Sequence, residues 1–139
     1  MGGLRETDIA YIAGLFDGEG SVYVKQTKQV RHKRPGKPTH NIWVVRMEIA
    51  MTEYSILVWL HEVLGCGSLG ERKVKKGRKR QWRWRCSHRD AYYVACLLFP
   101  YSHVKLGGIQ KIIQHYATKK RENVVDLSLE REIRKLEHR

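Results

Sequence analysis

Two carboxylates, Asp17 and Glu19, alternate with glycines at the end of the stretch TDIAYIAGLFDGEG, residues 7–20. The stretch reads as a helix that opens at Thr7, a suitable N-cap, and stops at Gly20, which can turn the chain out of it. Acids at that end oppose the helix macrodipole, a cost on the order of 0.3–1 kcal/mol when exposed. A divalent cation at these carboxylates would more than offset the cost, since hard cations take carboxylate oxygens. The plain alternative is a solvated polar helix end, and for an arbitrary GEG it is the better one. These residues alone leave both open.

The same helix carries Ala10, Gly14 and Gly18 four apart, a face with almost no side chain. Such a face lets another backbone approach closely. The run is too short, and too acidic at its end, to span a bilayer, so a second copy of the helix is its natural partner.

The elements that must position this helix follow in order. SVYVKQTKQ alternates as a strand, with Val22 and Val24 inward and Tyr23, Lys25, Thr27 and Gln29 on a polar face. That face mixes phosphate-seeking with base-reading side chains, or is an ordinary solvated sheet face. RHKRPGKP, with Arg31, Arg34 and Lys37, is a basic Pro/Gly loop suited to a hairpin tip. HNIWVVRMEIAM returns over about 40–51, with Trp43, Val45, Met47 and Ile49 inward and Val44, Arg46 and Glu48 in the polar row. Thr52 to Leu64 has helical apolar spacing and stops at Gly65. A second hairpin over Gly67 to Ser87 turns near Lys76–Lys79. Its WRWRC run sets Trp82, Trp84 and Cys86 inward, and Arg83 and Arg85 outward beside Arg72 and Lys75, with Arg78 at the tip. Helices are expected over Asp90 to Phe99, over about Gly108–Lys119, and within Val124 to Arg139.

The 139 residues suit one domain, and 27 Lys+Arg against 14 Asp+Glu give a formal +13. Charge of that size points to a polyanion. Ten of the 27 basic residues fall between Arg72 and Arg89, a density that a bland solvated edge does not sustain without a partner, so nucleic acid is the expected ligand. No lipidation motif or long apolar helix supports a membrane surface. MGGLRETD has no apolar signal region, which implies a protein that is not secreted, in a cytoplasm or an organelle matrix. Cys66, Cys86 and Cys96 lack CxxC spacing and read as reduced packing residues.

Residues 12–20, IAGLFDGEG, resemble the signature of the LAGLIDADG homing endonucleases, with Ile for the first Leu and Glu for the second Asp. Gly14, Asp17 and Gly20 match it, and Glu19 stands at its metal-binding acidic position. Pro100, Tyr101 and Lys105 resemble the second signature, and the likeness runs over roughly residues 7–116. The resemblance implies an α+β fold of order αββαββα across a single domain, 1–139. An antiparallel sheet would form a DNA-binding saddle with the helices on its other face. Members with one signature copy work as homodimers and those with two as monomers; only one copy occurs here. A two-fold pair joined through Ala10, Gly14 and Gly18 would read a near-palindromic duplex.

By the same resemblance, Glu19 and the Gly20 carbonyl hold Mg²⁺, Lys105 stabilises charge at the scissile phosphate, and both strands are cut with 3′ overhangs. Ca²⁺ is expected to support binding without cleavage, and no small-molecule cofactor is implied. The DNA-facing set would be Tyr23, Lys25, Thr27, Gln29, Arg31, Arg34, Lys37, Arg46, Glu48, Arg72, Lys75, Arg78, Arg83 and Arg85. The chain departs from the family where Gln or Lys often ends the second strand, since Ala50 and Met51 fall there. Arg46 is the candidate for the arginine that supports such sites. The rivals are a non-cleaving binder of the same fold, a maturase or regulator, and a basic RNA-binding protein. Neither uses Glu19.

Overall fold

A computed structural model describes residues 4–29, 40–122 and Leu136. The elements run α1 (Glu6–Glu19), β1 (Gly20–Gln29), β2 (His40–Met51), α2 (Tyr54–Leu64), β3 (Ser68–Arg72), β4 (Gln81–Ser87), α3 (Arg89–Leu98), a 3-10 turn (Phe99–Tyr101) and α4 (Leu106–Glu122). The expected basic tip over 31–38 and the C-terminal helix within 124–139 lie outside the described residues, Leu136 excepted.

The four strands form one antiparallel sheet in the order β1-β2-β4-β3. Each strand's alternation decides which face it buries. Val45, Met47, Ile49, Trp84 and Cys86 are buried on one side, under Ile12, Ala13 and Phe16 of α1, Leu57, Leu60 and Leu64 of α2, and the inner faces of α3 and α4. Fully burying one such aliphatic or aromatic side chain contributes about 1.5–3 kcal/mol, so this layer accounts for most of the fold's cohesion. The opposite face carries no helix among the described residues. This is the α+β arrangement the resemblance implies, with the second hairpin joined to the first through the β2–β4 pairing.

Several local expectations are corrected. α1 starts at Glu6 with extended Arg5 as its N-cap and no side-chain cap, so Thr7 lies inside the first turn. α2 begins at Tyr54 rather than Thr52, after Glu53 in an extended conformation. α4 begins at Leu106, because the chain closes its first turn at Lys105 O and Ile109 N, 3.0 Å apart. Trp43 is on the inward side but 44% exposed, with its ring against that of His115, 5.0 Å between centroids. Gly20 is not a left-handed turn: its φ of −85° is ordinary extended backbone. Glycine is needed there because a Cβ would stand 2.2 Å from the buried Phe16 ring.

The connection after α2 does require glycine conformations. Gly65 caps α2 at φ 70°, and Gly67 at φ 88° lets the chain pass Trp84, whose Nε1 donates to Cys66 O at 3.0 Å. A Cβ on Gly67 would meet Trp84 Nε1 at 2.4 Å. Gly108 plays the equivalent part in α4, where a Cβ would stand 2.9 Å from Val22 of β1. These close approaches bring α1, β1 and the start of α4 together at one end of the sheet.

Candidate active site and nucleic-acid interface

α1 divides cleanly by face. Ile12, Ala13 and Phe16 are buried, whereas Ala10, Gly14 and Gly18 are exposed, and a Cβ on either glycine would meet nothing within 4 Å. No contact among the described residues therefore calls for glycine at 14 or 18. The face ends on Glu19, which is exposed and has no hydrogen-bond or ion-pair partner among the described residues.

Asp17 is different. Its Oδ2 accepts from the His103 N–H at 3.0 Å, and its Oδ1 accepts from the Lys105 N–H at 3.0 Å and the His103 N–H at 3.3 Å. The carboxylate that opposes the α1 dipole thus sits at the start of α4, where an anion is favoured, and the two dipole effects offset each other. At the other end of α1, Tyr101 donates its hydroxyl to Glu6 Oε1, which holds the phenol's pKa above its ordinary value. Ser102, buried between these clamps, donates to Leu98 O at 2.7 Å. The Pro100–Lys105 segment is therefore laid along α1 by two of the helix's own acids. Lys105, half-buried, is bonded through its main chain to the residue two before Glu19. Neither clamp was anticipated from the sequence, where the resemblance assigns a role to Glu19 and none to Asp17.

Among the described residues no cluster of three or more His, Cys, Asp or Glu could by itself enclose a metal ion. At this end of α1 the described residues offer one carboxylate without a partner, Glu19, beside the main chain of Gly20. Such a half-site fits Mg²⁺, which keeps several waters and is commonly bound by one or two carboxylates plus substrate phosphates.

On the open sheet face the strand registers bring the candidate binding residues into rows. Tyr23 stands opposite Arg46, which stands opposite Ser87; Ser21, Glu48, Arg85 and Ser68 form the next row; Ala50, Arg83 and Gly70 the next; and Arg72 faces Gln81. Lys25 and Thr27 extend the β1 side opposite Val44 and Ile42. The Tyr23 ring lies between two cations, Arg46 Cζ at 5.4 Å and Lys25 Nζ at 5.5 Å from its centroid. Arg46 Nε is buried with no hydrogen-bond partner among the described residues. Glu48 and Arg85 form an ion pair at 2.9 Å. The Gly70 position leaves Arg83 room: a Cβ there would lie 3.6 Å from its Nε.

Lys75 and Arg78 flank the exposed β3–β4 turn, whose Arg78 N–H donates to Lys75 O at 3.1 Å with Gly77 at φ 91°. Arg80, by contrast, is turned to structural use. It pairs with Glu71 at 2.6 Å and 2.8 Å and stacks 4.7 Å from the Trp82 ring. Gln29 has a described backbone but no described side chain, and Arg31, Arg34 and Lys37 lie outside the described residues. Ala50 reaches the open face opposite Arg83, while Met51 faces the core side, so neither brings a polar group to the end of β2.

Solved structures share this architecture. The homing endonuclease I-CvuI in complex with its target in the presence of Ca superposes with a TM-score of 0.63 at 19% identity, covering 78% of this chain and 65% of that one. I-CvuI with the I-CreI target and Mg, with DNA not cleaved, gives 0.64 at 21% identity, covering 91% and 75%. The homing endonuclease I-TnaI gives 0.63 at 17% identity, covering 87% and 77%. The chain thus spans just under two thirds of the I-CvuI chain in the first of these structures. No functionally curated sequence matches it. Residues 12–104, two thirds of the chain and including Gly14, Asp17, Gly18 and Glu19 of α1 and the clamped segment as far as Val104, match the family described as LAGLIDADG endonuclease, and the chain belongs to that family.

Proposed function

We propose that two copies of this chain form a site-specific double-strand DNA endonuclease that depends on a divalent cation and leaves 3′ overhangs. The observation that carries the reading is the α1 face: among the described residues nothing lies within 4 Å of a Cβ placed on Gly14 or Gly18, and the face ends on a carboxylate with no partner there. Close approach of two such faces brings both Glu19 side chains to the two-fold axis. Like charges that near one another raise their own pKa unless cations neutralise them. Glu19 and the Gly20 carbonyl are the ligands each chain offers to Mg²⁺, which when bound polarises a phosphate oxygen and lowers the pKa of its water.

The remaining work belongs to the chain's own residues. Lys105 supplies positive charge against the phosphate as its negative charge grows, and Asp17 holds the backbone that carries it. The open sheet face, flanked by Lys75 and Arg78 at the hairpin tip, lies in the major groove and fixes the register of the cut. Arg31, Arg34 and Lys37, outside the described residues, add three positive charges to the chain's attraction for phosphates. DNA-bound I-CvuI supports this reading by its shared fold. Sedimentation of the chain at micromolar concentration without DNA should give a dimer, and Gly14→Leu should shift it to monomer. A monomeric parent chain would contradict the assembly.

A further inference from the structure

Resting on that reading, we infer that the Glu48–Arg85 ion pair reads a single G·C base pair as a unit, with guanine on the β4 side and cytosine on the β2 side. Arg85 Nε and Nη2 both donate to one oxygen, Glu48 Oε1, at 3.1 Å and 2.9 Å. Two of the five guanidinium N–H donors are thus engaged; the Nη1 donors, the second Nη2 proton and Glu48 Oε2 have no hydrogen-bond partner among the described residues. The side chains keep 29% (Arg85) and 20% (Glu48) of their surface exposed. Their row ends in Ser21 and Ser68, and Ser87, Ala50 and Gly70 stand in the rows beside them. Arg46 and Arg83 are the long neighbours in those rows, and the short ones leave part of the pair's surface open on the sheet face, where a base edge can meet it.

The free atoms, taken from β4 to β2, run donor, donor, acceptor. In the major groove a G·C pair presents N7 acceptor, O6 acceptor and N4 donor, which complements that order at every atom. An A·T pair would set its N6 donor against a guanidinium N–H and its O4 acceptor against Glu48 Oε2. A T·A pair would place a methyl group and a single acceptor before the two donors. Glu48 therefore acts twice: it holds the Arg85 fork at the angle guanine needs, and its second oxygen refuses any base pair with an acceptor on the β2 side. In a two-fold assembly the same base pair recurs at symmetric positions of both half-sites.

The test is a binding selection from a duplex library randomised symmetrically about its centre, in Ca²⁺, with the parent chain, Glu48→Gln and Arg85→Met. Glu48→Gln keeps the shape of the side chain, and a thermal melt confirms that each variant is folded. The parent chain should enrich one symmetric G·C position that both variants relax, on the order of ten-fold or more, and the double variant should relax it no further than either alone. Relaxation at two different positions, or retention of the parent preference in both variants, overturns the inference and leaves the endonuclease reading standing. Sequence-blind, salt-sensitive binding by the parent chain overturns both.

Discussion

Asp17 is where the account is most exposed to a simple substitution. Asp17→Ala removes a carboxylate that accepts three contacts from the backbone of His103 and Lys105, at 3.0, 3.0 and 3.3 Å. Bonds to a charged acceptor contribute about 1.5–3 kcal/mol each in partly buried settings. The His103 N–H is exposed enough to regain water, whereas Lys105 is half-buried. The two helix dipoles at this carboxylate oppose each other, so they add nothing net. The loss should therefore be about 2–4 kcal/mol, a fall in melting temperature on the order of 10 °C for a chain of this size. Cleavage should fall further than affinity, since a displacement of about 1 Å in a positioning group can cost roughly a hundred-fold in rate. The decisive variant pairs Asp17→Ala with Lys105→Met. If Asp17 acts on the reaction through Lys105, the double variant cuts DNA no more slowly than Lys105→Met alone, while the loss of stability stays that of Asp17→Ala. Additive rate losses, or an unchanged melting temperature in Asp17→Ala, would refute the clamp.

Gly20→Ala should destabilise the fold by about 1–3 kcal/mol or more in a denaturant titration, because the new Cβ falls 2.2 Å from a Phe16 ring that is fully buried. An Ala variant of parent stability would show that the helix end is not packed as described. Cys66 is pushed up to about 11, first by burial and then by the charge of Asp90, and burial raises Cys86 further. The folded value for Cys66 lies above the ordinary 9.0, so its contribution to stability is complete below about pH 9 and is lost as pH rises towards 11. At pH 8 both thiols should react with iodoacetamide far more slowly in native protein than in urea, by mass spectrometry. Equal rates in the two states would contradict the burial.

What the sequence made legible was whatever depends on neighbours in the chain. The alternation of Trp82, Trp84 and Cys86 with Arg83 and Arg85 assigned both faces of β4 correctly, because a strand's side-chain period leaves no other choice. Ala10, Gly14 and Gly18 were recognisable as one bare face for the corresponding helical reason. The start of α1 was not, since extended Arg5 takes the cap position with no side-chain hydrogen bond to mark it. Roles set by distant partners were also hidden. Asp17 meets residues 86 and 88 positions away, and this contact separates a clamping acid from the free one at 19. Glu48 and Arg85 lie 37 positions apart, and only the β2–β4 register shows that they form one unit. Arg80, which stands among the basic residues of the second hairpin, is likewise committed to Glu71 and Trp82, a use its place in the chain does not show.

The central claim is that Glu19 is a catalytic metal ligand and not a solvated helix end. The direct measurement is a single-turnover digestion started by adding Mg²⁺ to protein already bound to a selected duplex in Ca²⁺, with the parent chain and Glu19→Gln side by side. Glu19→Gln keeps the size and polarity of the side chain and removes its charge, so the variant should bind at least as well as the parent. Its cleavage rate should fall by several orders of magnitude, as for loss of an essential metal ligand. Equal cleavage by the two proteins would contradict the claim and leave Glu19 no chemical role.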